Sequence, residues 1–199
     1  MNVKAKLLFV RVSIILVLCC MTVTAYAKAK FVGNDVCINC HKKEGLSWSK
    51  RPHARAFEVL KVGMRNTAKK RVGMDLSKDY TKDKKCLRCH TTGYRKPGGF
   101  RNIKSTPKLK GVGCEACHGA GSKYKVLHDR NPSFTETEAK LAGELYATQD
   151  PNVCDRCHTH KDQHFTEKVD KKYRYDREEA IKDRKSFHEK FEKKYKSMF

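Results

Sequence analysis

Beyond its first 27 residues this 199-residue chain has few branched aliphatic side chains, no second apolar run, and no cysteine outside four short motifs. Each shortage excludes something. Without branched aliphatics a chain this size cannot build an ordinary side-chain interior, so another material should fill it. With no later apolar run, nothing in the processed protein spans a bilayer as a helix. With no spare cysteine, the disulfides that usually staple small exported proteins are excluded. Acidic residues are also short, 22 Asp and Glu against 44 Lys and Arg, for a formal charge of +22. Such an excess suits acidic proteins or anionic surfaces. Nucleic acid fits badly, because the chain carries an export leader and no nucleic-acid-binding motif.

The leader is residues 1–27: Lys4, Lys6 and Arg11, an apolar run over 12–23, then Ala25-Tyr26-Ala27, with no acid anywhere. This pattern reads as a secretory signal cleaved after Ala27, leaving one domain over 28–199 in the periplasm. An uncleaved anchor is the competing reading, disfavoured by the short run and its small-residue exit. Lipid attachment at Cys19 is disfavoured by Leu18, which stands where a small residue belongs. Cleavage removes three cations and lowers the charge to +19.

Ten cysteines less Cys19 and Cys20 leave eight, all in the pattern C-x-x-C-H. They are Cys37, Cys40 and His41; Cys86, Cys89 and His90; Cys114, Cys117 and His118; Cys154, Cys157 and His158. That pattern marks covalent attachment of c-type haem. Two thiols on one turn add to the two vinyl groups, and the adjacent imidazole reaches the iron. Dithiol redox pairs or zinc sites compete, but neither needs a histidine after the second cysteine four times. Four haem c groups would also supply the missing interior. Eight ionised propionates would bring the charge to about +11.

Five histidines remain for the second axial positions: His53, His128, His160, His164 and His188. Two imidazoles give iron suited to electron transfer, and an open position admits a small molecule. Pro52 starts a segment in which His53, Phe57, Leu60 and Met64 recur at helical spacing, so His53 is expected on the buried face. His128 follows Tyr124 by four in a short helical stretch. His188 lies on a stripe with Ile181, Phe191, Tyr195 and Met198 in a long amphipathic C-terminal helix over 175–198. His160 and His164 fall in a hydrophilic loop that needs no metal. Met64, Met74 and Met198 read as packing residues. Elsewhere short helices and loops are expected, with a loop or small hairpin over 93–113. A capping box at Thr135 to Glu138 should start a helix with Leu141, Ala142, Leu145 and Tyr146 on one face. The fold class is therefore mainly α, wrapped around the haems.

The chain resembles the tetrahaem cytochrome c family that accepts electrons from hydroxylamine oxidoreductase in ammonia-oxidising bacteria. The likeness runs through Ser47-Trp48, His53-Ala54, Asp79-Tyr80-Thr81-Lys82-Asp83-Lys84, Gly98-Gly99-Phe100, Gly111-Val112-Gly113-Cys114-Glu115, Val169-Asp170-Lys171-Lys172-Tyr173 and the segment holding His188. It implies three bis-His haems and a five-coordinate second haem at His90. His188 would serve the first haem, His53 the third and His128 the fourth. The open face of the second lies near a Phe-Thr run that Phe165-Thr166 matches. Here His164 precedes that run, and it, or His160, is an alternative ligand that would close the face from its own chain or a neighbour. The implied role is electron transport in respiratory or nitrogen-compound metabolism. Partners would be acidic redox proteins, a hydroxylamine-oxidoreductase-like enzyme or a membrane quinone-linked cytochrome. The alternatives are reduction of a small nitrogen oxide such as nitric oxide at His90, and a haem filament.

Overall fold

The computed structural model describes residues 27–131, 133–144, 150, 152–176, 178, 179 and 182. Residues 1–26 of the leader, Leu145, Tyr146, Ile181, His188 and nearly all of the expected C-terminal helix lie outside them. The described chain is a succession of helices of five to eight residues: α1 Asn34–Ile38, α2 Lys42–Ser49, α3 Asn66–Arg71, α4 Lys84–His90, α5 Cys114–His118, α6 Tyr124–Arg130, α7 Glu136–Leu141 and α8 Asn152–His158. Short 3-10 turns intervene at Pro52–Arg55, Glu58–Leu60, Tyr80–Lys82, Pro107–Leu109 and Lys171–Tyr173. No strand occurs among the described residues, only an isolated bridge from Thr91, just before the loop expected over 93–113, to Lys110 inside it. Helices this short are unstable alone, so caps and tertiary contacts must hold them.

Those caps are local and legible. Asp83 accepts from the Lys85 amide at 3.0 Å to start α4, and Asp79 accepts from Thr81 at 2.9 Å one turn earlier. The box at the head of α7 forms, with Thr135 accepting from the Glu138 amide and Glu138 from the Thr135 amide. The helix ends sooner than its apolar pattern suggests. Gly143 takes φ 93°, its amide bonds the Lys140 carbonyl, and the Glu144 amide bonds that of Ala139. This left-handed terminator stops α7 at Leu141, which is exposed, while Ala139 is the buried residue.

A second correction concerns the segment after Pro52. It forms two 3-10 turns with i to i+3 bonds, Ala56 to His53 and Leu60 to Phe57. The shift in periodicity keeps Phe57 and Leu60 buried but leaves His53 and Met64 exposed. Phe57 and Leu60 join Tyr80, Leu87, Phe100 and Leu109 in the main apolar cluster, with Phe31, Met74, Cys86 and Tyr94 against it. That cluster surrounds the second motif. Burying such side chains contributes about 1.5–3 kcal/mol each.

Candidate haem-attachment centre

Three motifs end a helix on their histidine: α4 at His90, α5 at His118 and α8 at His158. In the first, α1 stops at Ile38 and His41 precedes α2. One helical turn thus presents two thiols and an imidazole together each time. No disulfide joins any of the eight motif cysteines. Among the described residues no three His, Cys, Asp or Glu side chains converge as a zinc centre requires.

The motifs themselves converge in an order different from the chain. α1 packs on α5, α5 on α8, and α8 on α4. The thiols follow: Cys37 hydrogen-bonds Cys114, Cys117 lies close enough to Cys157 to affect its charge, and Cys157 hydrogen-bonds Cys89. In each bonded pair one proton is easier to lose, because the partner thiol stabilises the thiolate. Cys37 and Cys89 move down, Cys89 to about 7, while Cys114 and Cys157 move up. Cys86 is pushed up to about 11, chiefly by burial. The spatial sequence is first, third, fourth, second.

Non-local contacts set this arrangement. Glu115, fully buried inside the third motif, accepts from the amides of Val32, Gly33 and Gly121 at 2.7–3.1 Å. Asn34 of α1 accepts from the Cys114 amide at 2.9 Å. A Cβ on Gly113 would stand 2.1 Å from the Asn34 side chain, so only glycine allows this approach. Gly111, at φ 77°, brings its backbone against Ala54 in the same way. Trp48 donates to the Val112 carbonyl at 2.8 Å, and the Val112 amide donates to the His53 carbonyl at 2.9 Å. Thr92 ties the second motif to the third, donating to Gly111 at 2.9 Å and accepting from Gly113 at 2.8 Å.

The imidazoles fit iron. His90 donates through Nδ1 to the Ala56 carbonyl at 2.5 Å, which leaves Nε2 for a metal. Desolvation by surrounding protein atoms holds half-buried His90, and also His53 and His158 although each keeps an exposed face, below the ordinary imidazole range, favouring the neutral form that ligation requires. His53 faces His158 with ring centres 6.2 Å apart and planes at 82°. Two imidazoles this close would both be available to hold one haem iron. Tyr175 stacks on His158 at 4.8 Å and donates to Asp155 at 2.8 Å.

The structure therefore brings His53 to the fourth motif, whereas the resemblance assigns it to the third. Spacing in the sequence could not decide this, because the turn is oriented by Val112 and Gly111, some 60 positions later. His128 lies on α6, beside Tyr124 and Phe134, with Nε2 3.6 Å from Glu144. Tyr124 donates to the Gly119 carbonyl just after the third motif. His160 turns Nε2 to Arg88 inside the second motif and takes the Asp162 amide on Nδ1 at 3.1 Å. His164 is exposed; Phe165 packs on Tyr173, and the Thr166 carbonyl accepts from Val169. The Glu115 clamp and the Tyr175 stack escaped the sequence reading. Glu115 does stand between the two thiols of a motif, where a buried acid is unexpected.

Four C-x-x-C-H motifs, each holding its two thiols and its imidazole on one short turn, mark a c-type cytochrome. A family model described as cytochrome c554 and c-prime matches residues 36–119. Cytochrome c-554 of Nitrosomonas europaea is 34% identical over 180 residues, covering 82% of this chain and 77% of that protein. The solved reduced state of cytochrome c554 from Nitrosomonas europaea superposes with a TM-score of 0.69 at 33% identity, covering 78% of this chain and 83% of that one. The chain belongs to the cytochrome c554 family.

Proposed function

We propose that this protein is an exported tetrahaem electron carrier whose haems form a line in the order first, third, fourth, second. The carrying observation is the packing of the motif helices in series, α1 on α5, α5 on α8 and α8 on α4. Haem supplies reversible one-electron chemistry. The chain's part is to hold the groups close, keep the imidazoles neutral and exclude water. His41, His90, His118 and His158 are the proximal ligands. His53 stands opposite His158, and His128 and His188 serve two of the other three. No described helix is long and apolar enough to cross a membrane. The basic surface and periplasmic setting suit acidic redox partners, with encounter rates that fall as salt rises.

Two experiments test this reading. A photoreductant attached through Lys43→Cys beside the first motif should deliver electrons to the second haem, and Cys154→Ala/Cys157→Ala should stop that arrival while the first and third haems still reduce. Unchanged arrival overturns the order. His53→Ala should turn one low-spin haem signal high-spin, and the same substitution should be silent when the fourth haem is absent. A change that persists there moves His53 to another iron.

A further inference from the structure

Lys69 is the one buried residue of α3, with 3% of its surface exposed, although Lys70 and Arg71 beside it reach solvent. Its Nζ donates to the Lys61 carbonyl at 2.7 Å and stands 5.4 Å from the ring centre of Tyr80. No carboxylate among the described residues pairs with it within salt-bridge distance. The acid that influences it, Asp79, is an exposed cap. Burial lowers its pKa. A buried ammonium with one hydrogen bond is costly, and an apolar side chain of similar length would be at least as stable there. Its charge needs a reason beyond packing.

The neighbourhood supplies one. Tyr80 is buried in the cluster that holds Leu87 and Cys86 of the second motif. The Lys78 ammonium stands 4.8 Å from the centre of the same ring and pairs with Asp83. Cys86 packs against that same cluster, so Tyr80 connects the Lys69 ammonium to the attachment side of the second motif. Lys78 is half exposed and neutralised by its partner. Lys69 is neither, so its field is screened least and falls on the Cys86 side of the motif. A fixed positive charge in a dry site stabilises the state that has gained an electron.

We propose that Lys69 raises the reduction potential of the haem carried by Cys86, Cys89 and His90. This rests on the haem-carrier reading above. Each haem takes one electron from an external donor as ferric iron becomes ferrous, and Lys69 shifts only the equilibrium of that step.

The test is a spectroelectrochemical titration of holoprotein whose mass shows four haems, comparing wild type with Lys69→Met, Lys69→Gln and Lys69→Arg. One of four one-electron transitions should move to lower potential in the Met and Gln variants and stay in place in the Arg variant. That transition should be missing when Cys86→Ala/Cys89→Ala removes the second haem. Lys69→Gln keeps a donor for the Lys61 carbonyl, so a result is obtained even where Met disturbs the fold. Four unmoved transitions in either neutral variant overturn the proposal, as does a shift that survives loss of the second haem. Protein that carries no haem fails the carrier reading instead.

Discussion

The surroundings of the second and fourth motifs are built from different materials. Around the second, six buried apolar side chains from four separate segments make a cluster, and Leu87 within the motif belongs to it. Around the fourth, Val153 is the buried apolar residue of α8, and the contacts are rings and polar groups: His53 and Tyr175 on His158, Tyr175 on Asp155, and Arg156 donating to the Ala116 carbonyl at 2.9 Å. The first arrangement excludes water with its own side chains. The second has little apolar surface of its own to bury and depends on what its thiols and imidazoles hold. Among the described residues, one polypeptide thus contains a motif set in an apolar core and a motif set among rings and polar groups.

The largest effect should come from removing the material that separates the two. Phe100→Ala is expected to cost about 3–5 kcal/mol of global stability, measured by denaturant unfolding, because a fully buried ring leaves a cavity. Val153→Ala should cost less than about 2 kcal/mol. Equal losses would erase the contrast.

Asp83→Ala should remove about 1 kcal/mol at neutral pH by uncapping α4. The Lys78 hydrogen bond holds the Asp83 carboxyl below the usual carboxylate range, opposed in part by burial and helped by the Lys85 amide. The folded pKa is depressed, so this stabilisation is full above the unfolded value of about 4 and lost as pH falls through the folded one. Wild type and variant should therefore converge in acid. A difference that persists below about pH 2 would show that the carboxylate charge is not its source. At the fourth motif, Tyr175→Phe should cost about 0.5 kcal/mol, since it keeps the stack on His158 and loses only a partly exposed hydrogen bond. A loss as large as that of Asp83→Ala would mean that the fourth site leans on polar contacts even more than its ring packing suggests.

The same contrast explains which parts of the structure were legible. The capping box at Thr135, the helical turn carrying His128 and the helices ending on motif histidines all follow from residues within a few positions of one another. The early end of α7 follows from Gly143, whose left-handed conformation outweighed the apolar pattern beyond it. The exposure of His53 and Met64 follows from a 3-10 repeat replacing the α-helical one, after which residues four and seven apart no longer share a face.

What the amino-acid sequence determined by itself was the chemistry: four C-x-x-C-H motifs that use every cysteine after Cys20, five further histidines and few aliphatic side chains. Such features survive without tertiary information because two thiols and an imidazole on one turn are a local, covalently dictated arrangement. The order of the sites, the meeting of His53 with His158, the burial of Glu115 and the stranding of Lys69 beside Tyr80 were decided only by folding. Each depends on groups that chain separation leaves independent until backbone amides, close-packed glycines and apolar burial bring them together.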